Sequence, residues 1–276
     1  MKTKIYKIAV FSDLNNGADT ALKSAIGLSK MINASIDFFY VKEASRIVAS
    51  ENQLSAMRSI NEEYTLTKKQ IEDLVNPISN KYNVPVAYSF SFGNIKNEIE
   101  KYIAENMPEI IVLAKRKSKK LLGGDRVTEF VLKTFKGKII IAADGNLLNS
   151  EHQVSLGLLN ETEQLSNDEL VSSLLKQSKQ PLKNFKVVID SASVSETGIS
   201  NSLKSVAYVF ERNDQIYEKL TKYISKSNIN LLYIGRNGEN TMDKENFIKT
   251  AIPEVMNKTD VSILIPEEHH FQHNFI

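Results

Sequence analysis

The chain has 276 residues, a formal net charge of +2, 42% hydrophobic and 25% charged residues, a composition that fits two ordinary globular domains of about 100–200 residues or one large one. The lack of cysteine excludes a disulfide framework, a thiolate metal site and cysteine chemistry, and the lack of tryptophan with only 8% aromatics argues against a stacking platform for carbohydrate or single strands. The near-neutral balance argues against general nucleic-acid binding.

The basic start, residues 1–7, runs into Ile8-Ala9-Val10-Phe11 and stops at Ser12-Asp13. That apolar run is shorter than the roughly 7–15 residues of a signal peptide or the about 20 of a spanning helix, so a cytoplasmic chain without membrane contacts is expected. Residues 5–11 read instead as a first strand. The loop Ser12-Asp13-Leu14-Asn15-Asn16-Gly17 follows, then a helix with Ala21, Leu22, Ala25, Ile26 and Leu28 on one face. Residues 36–41 form a second strand, and the amphipathic stretch 52–81 reads as one long helix. A third strand spans 86–92, and Gly93 ends it. Ile95, Ile99, Tyr102 and Ile103 mark a helix that stops before Pro108. The continuous apolar run 110–114 predicts a central strand covered on both faces. A basic loop, a helix over 127–135 and a fifth strand over 138–143 complete this half.

Alternation of apolar runs with amphipathic stretches is the signature of βα units around a parallel sheet. The second half repeats it. Lys101-Tyr102-Ile103 recurs as Lys222-Tyr223-Ile224, an offset of 121 residues, and the same offset carries Ile110-Ile111-Val112-Leu113 onto Leu231-Leu232-Tyr233-Ile234. Strands are expected at 154–159, 185–189, 204–210 and 261–265, with a helix over 167–179. Only the polar stretch 191–202 stands where the first half has its long helix, so the second repeat is trimmed. The fold class is α/β: two tandem Rossmann-like or flavodoxin-like three-layer domains, residues 1–146 and 152–276, each with a parallel five-stranded sheet. The apolar run Ile139-Ile140-Ile141 suits burial between strands of two domains, and it equally suits a sheet core.

In an open α/β sheet, ligands bind beyond the carboxyl ends of the strands. Those ends carry Asp13, Val41 and Ala114 to Lys117 in the first half, and Gly235-Arg236-Asn237-Gly238 in the second. Asp13 suits a ribose or base edge, or else it caps the helix that follows. The loop with Lys115, Arg116, Lys117, Lys119, Lys120 and Arg126 is the densest charge cluster of the chain. It is either an anion-binding loop, here Lys115, Arg116, Lys117 and Arg126, or a solvated one. The end Glu267-Glu268-His269-His270-Phe271-Gln272-His273 has metal-binding side chains but reads as a terminal segment, and no metal is expected. No P-loop, GxGxxG or GxSxG motif is present, and His152 stands alone in the link between halves, so no enzyme is expected.

The first half resembles the universal stress protein family. Ile8 to Asp13, then Ala21-Leu22 and Ala25-Ile26, look like that family's first strand, aspartate-bearing loop and first helix. Gly93, the helix over 98–104 and Pro108-Glu109-Ile110-Ile111-Val112-Leu113 look like its third helix and fourth strand. The resemblance covers most of 1–143 and returns faintly over 204–266, and it implies pairing of the last strands, 138–143 and 261–265, within the chain as a pseudo-dimer, with a further homodimer left open. It implies ATP or AMP as ligand, held by a glycine, two residues, a second glycine, nine residues, then Gly-Ser or Gly-Thr after the fourth strand, because glycines let backbone N–H groups approach phosphate. The first half departs from that pattern: its glycine positions are Ala114 and Lys117, and Asp125-Arg126 stands at the Gly-Ser position. The second half keeps Gly235 and Gly238, with Lys249-Thr250 downstream, although Gly238 equally makes a turn. The expected function is that of a non-catalytic stress-response protein that binds a partner protein or small anionic ligand, with ATP binding weakened or lost. The alternative is an ATP or AMP sensor using Asp13 and Val41, or Gly235, Gly238, Lys249 and Thr250.

Overall fold

A computed structural model of the chain describes residues 5–14, 17–43, 53–115, 126–145, 147–148, 154–159, 169–176, 178, 181–188, 205–211, 213, 215–235 and 252–268. The first half contains β1 (Tyr6–Phe11), α1 (Ala18–Ile32), β2 (Ala34–Lys42), α2 (Gln53–Tyr82), β3 (Val86–Phe92), α3 (Ile95–Asn106), β4 (Ile110–Ala114), α4 (Arg126–Thr134) and β5 (Lys138–Ala142). The second contains β6 (Leu156–Leu159), α5 (Glu169–Lys176), β7 (Leu182–Val188), β8 (Ser205–Glu211), α6 (Ile216–Lys226), β9 (Leu231–Ile234) and β10 (Ser262–Ile265), with residues 252–258 helical before β10.

Local chemistry sets several of these bounds. Asn94 caps α3 by accepting from the backbone N–H of Lys96 and Asn97 at 3.1 and 3.3 Å, and Met107 closes that helix in the left-handed region. The stretch expected as one long helix is the 30-residue α2, which continues through Pro77 near its end. β7 begins at Leu182, three residues before its expected start at Phe185, directly after Pro181. The polar Lys183 and Asn184 mask this strand in the sequence, although Asn184 is wholly buried. The trimmed link between β7 and β8 falls in 189–204, outside the described residues.

The two five-stranded halves form one sheet of ten strands, in the order β3-β2-β1-β4-β5-β10-β9-β6-β7-β8. Neighbours are parallel except β5 and β10, which run antiparallel with Ile139, Ile140 and Ile141 opposite Ile265, Leu264 and Ile263. Each half thus has the same internal order, and the halves meet through their last strands as a pseudo-dimer. Side chains alternate across a strand, so the sheet builds two cores. One packs α1, α2 and α5 against one face, and the other packs α3, α4, α6 and the helical residues 252–258 against the opposite face. Both cores continue across the seam between the halves. Tyr6 of β1 adds a cross-seam hydrogen bond to Glu169 of α5 at 3.1 Å. Among the described residues, no helix is long and apolar enough to cross a membrane.

Candidate functional site

A solvent-open cleft lies beyond the carboxyl ends of β1, β2 and β4. Phe11, Ser12 and Asp13 come from β1 and its exit, Phe39 and Val41 from β2, Leu113 and Ala114 from β4. Ile95 and Ile99 of α3 and Val127 and Thr128 of α4 complete the wall. This is the place where an open parallel sheet binds ligands.

Phe11 and Phe39, which line the cleft, are backed by the buried Tyr102. The Phe39 ring stacks on Tyr102 of α3 with centroids 4.2 Å apart, and Phe11 meets the same ring edge-on at 5.5 Å. The Tyr102 hydroxyl donates to Asp37 Oδ2 at 2.5 Å, and Ser89 Oγ donates to the same oxygen at 3.1 Å. Burial, and then the hydrogen bond and charge of Asp37, hold the Tyr102 phenol far above the ordinary tyrosine range, so it stays a donor. The sequence marks Tyr102 only as part of a helix and gives no sign of its contact with Phe11 and Phe39. Three residues so far apart in the chain give no local signal of a shared surface.

Asp13 and Val41 come together at the cleft as ligand-facing candidates. The alternative that Asp13 caps α1 is corrected: the helix starts behind Gly17, which is left-handed at φ 99° and offers no side-chain cap. Leu14, also left-handed at φ 62°, turns the chain between Asp13 and the helix. Beside Val41, the Lys42 ammonium pairs with Glu63 of α2, which ties the end of β2 to that helix.

The exit of β4 is built for packing. A Cβ on Gly17 would lie 2.9 Å from Ala114 Cβ, so the two residues fit only because one lacks a side chain. Lys115 is buried at 5% exposure. Its backbone N–H donates to Ala142 O at 2.8 Å, and its ammonium donates across the seam to the Thr259 carbonyl. The sequence reads this lysine as part of a loop open to anions or water, whereas the structure draws it into the contact between the halves. Arg116 and Lys117 lie outside the described residues, and Arg126 is described only as the first residue of α4. Gly235, half-buried, follows β9 in the second half; Gly238, Lys249 and Thr250 lie outside the described residues. β5 and β10 separate β4 from β9, so Gly235 and Asp13 belong to different ends of the pseudo-dimer. Among the described residues, no three His, Asp or Glu side chains gather as a metal site; His269, His270 and His273 lie outside them.

No family model and no curated protein matches the chain. Solved structures do. A universal stress protein from Archaeoglobus fulgidus superposes with a TM-score of 0.65 at 15% identity, over 95% of this chain and 96% of that one. A universal stress protein from Pseudomonas aeruginosa gives 0.55 at 11% identity, over 96% and 94%. The cytoplasmic domain of a prokaryotic cation chloride cotransporter gives 0.50 at 11% identity, over 96% of each chain. Both universal stress proteins match along nearly their whole length, across both halves and the seam. The chain therefore has the tandem universal stress protein fold.

Proposed function

We propose that the chain is a non-catalytic binding protein of the universal stress type. In this reading its two units, 1–146 and 152–276, act as one body, and its first-half cleft takes the ring end of a nucleoside-like ligand without cradling a triphosphate. The observation that carries this reading is the use made of Ala114 and Lys115. Phosphate binding in the fold needs free backbone N–H groups after the fourth strand, but the Lys115 N–H is engaged by Ala142 and its ammonium by Thr259. The described lining is then Phe11 and Phe39, with rings tilted 64° to each other, beside Ser12, Asp13 and Thr128. Such a lining orients a planar, partly polar ring by hydrogen bonds, and it supplies one carboxylate rather than an acid–base pair. The shared fold does not fix the role, since a domain of similar architecture serves in a transporter.

The test is to release any small molecule by denaturing the purified full chain, and to titrate the protein calorimetrically with adenosine, AMP and Mg-ATP. Adenosine is expected to bind, with phosphates adding less than about tenfold in affinity. Asp13→Ala should weaken that binding, and Gly238→Val should leave it unchanged. Co-purification of stoichiometric ATP, or ATP binding about a hundredfold tighter than adenosine, would overturn the reading. Loss of binding in Gly238→Val alone would move the ligand to the second half, as the sensor alternative requires.

A further inference from the structure

Among the described residues, five that are not glycine take the left-handed backbone region: Leu14, Asn33, Asn83, Met107 and Asn228. Four of them stand just past a helix, behind α1, α2, α3 and α6, where that conformation closes the last turn. Three of those four are asparagine, whose short polar side chain tolerates the region. Leu14 differs on both counts. It follows the strand β1 at φ 62°, and it is an apolar residue for which this region is strained. Glycine would take the same turn without steric cost. What the leucine adds is an anchor. Leu14 is half-buried and packs on the core that α1, α2 and α5 share. Its neighbours Ser12 and Asp13 line the cleft, whose Phe11, Phe39, Ile99 and Leu113 belong to the core on the opposite face. The exit of β1 is thus divided between the two faces, with Leu14 fastened on one and Asp13 standing on the other.

We propose that Leu14 is a positioning residue of the cleft, whose anchored side chain holds the turn that presents the Asp13 carboxylate to a ligand. The role rests on the reading of the cleft as a ligand site. A carboxylate on a loose loop has to be ordered when the ligand arrives, and that cost is subtracted from the affinity. One that is already held binds without it. Leu14 itself does not line the cleft, so it raises affinity without touching the ligand. A glycine at this position would make the turn but would leave Asp13 free to swing.

Calorimetric titration of the full chain with adenosine tests this. Leu14→Asn and Leu14→Gly accept the turn but lack the anchor, whereas Leu14→Met keeps an apolar side chain of similar volume. The first two are expected to weaken binding at least about tenfold, and Leu14→Met by no more than about twofold. Asp13→Ala, which weakens the wild type, should cost less than about twofold more once Leu14→Asn is present, because a carboxylate that is no longer held has little left to lose. A leucine that only covers the core would leave the Asp13→Ala loss the same in both backgrounds. In the ligand-free chain, the NMR order parameter of the Asp13 N–H should be about 0.85 in the wild type and in Leu14→Met, and below about 0.6 in Leu14→Asn. Far-ultraviolet circular dichroism keeps a folding failure apart from a loss of positioning, and either anchorless variant suffices if the other misfolds. Wild-type affinity in a folded anchorless variant, an Asp13 order parameter unchanged by Leu14→Asn, or equal Asp13→Ala losses in the two backgrounds would each overturn the proposal while leaving the cleft as a ligand site. A wild type that binds no adenosine would overturn the reading of the cleft, and the role of Leu14 with it.

Discussion

Tyr88 of β3 and Tyr208 of β8 hold the same place in a Val-Ala-Tyr-x-Phe pentapeptide, yet they face opposite sides of the sheet. Tyr88 looks toward α2 and donates to Glu72 at 2.5 Å. Tyr208 stacks on Phe185 at 5.4 Å and looks toward α6. The pentapeptides are 120 residues apart, whereas the helix and central strand repeat at 121. A slip of one residue turns every side chain of a strand to the other face. The direction of the slip has a reason in the cover available. The 30-residue α2 shelters the Tyr88 face, but only 189–204 lie between β7 and β8, too few for such a helix. The aromatic side of β8 accordingly lies where α6 can pack on it.

This inversion makes Tyr208 a packing residue and leaves Ala207 outside. Tyr208→Ser is expected to cost about 2 kcal/mol by exposing the Phe185 ring, while Ala207→Ser should change stability by no more than about 0.5 kcal/mol. Urea unfolding at low protein concentration measures both. If β8 kept the 120-residue register of the pentapeptide, Ala207 would face the α6 core and the ranking of the two variants would reverse.

The first half was legible because each element carries its own local pattern. β4 is a continuous apolar run with both faces covered, and α2 shows helical spacing over its whole length. The pairing of the last strands was expected from the family resemblance, whereas Ile139-Ile140-Ile141 by itself suits that seam and an ordinary sheet core alike. The site was less legible, because its key contacts are made by residues far apart in sequence. Lys115 lies in a basic run that reads as solvated, and its partner Thr259 is 144 residues away. Asp13 sits where a cap would stand, but Leu14 and Gly17 take left-handed conformations that carry the chain past it. The aromatic cluster beneath the cleft required Phe11, Phe39 and Tyr102 from three separate elements.

Gly17 and Ala114 should behave as a coupled pair. Gly17→Ala forces a side chain into φ 99° and against Ala114 Cβ. The expected loss is about 2–3 kcal/mol, of which roughly 1 is the left-handed backbone. Adding Ala114→Gly should restore the part due to contact and leave the backbone part. A double-mutant cycle in urea reads that coupling, and additive losses would show that the two residues do not press on each other.

Tyr102 gives the chain an alkaline limit. Its phenol is held above the ordinary value of 10.0 by burial first and by Asp37 second, so above pH 10 the folded state retains a proton that the unfolded state gives up. Its contribution is therefore full below pH 10 and declines as pH rises beyond it. Wild-type stability should fall from about pH 10 upward, and Tyr102→Phe should show a shallower fall over the same range. At neutral pH the same variant loses the hydrogen bond to Asp37, a cost of about 1–2 kcal/mol. Denaturation midpoints taken between neutral and alkaline pH test both statements, and parallel curves for the two proteins would remove Tyr102 as the source.

The seam should make the two halves unfold together. Ile140 and Leu264 face each other across β5 and β10, and both are essentially without exposure. The Ala143 N–H donates to Ser262 Oγ at 3.1 Å and the Lys115 ammonium to the Thr259 carbonyl, so the contact between halves combines apolar packing with buried polar bonds. Ile140→Ala and Leu264→Ala are each expected to cost about 2–4 kcal/mol while lowering one shared midpoint, although they lie in different halves. Their double variant should cost less than the sum, because each opens space beside the other. Lys115→Met keeps the length of the stem but removes the donor to Thr259. It should cost about 1–3 kcal/mol without changing the steepness of the transition, because the two cores still cross the seam. A curve that splits into two steps in any of these variants would mean that the halves are separable bodies joined by an incidental strand pair. A single step in all of them would mean that the seam is part of one folding unit.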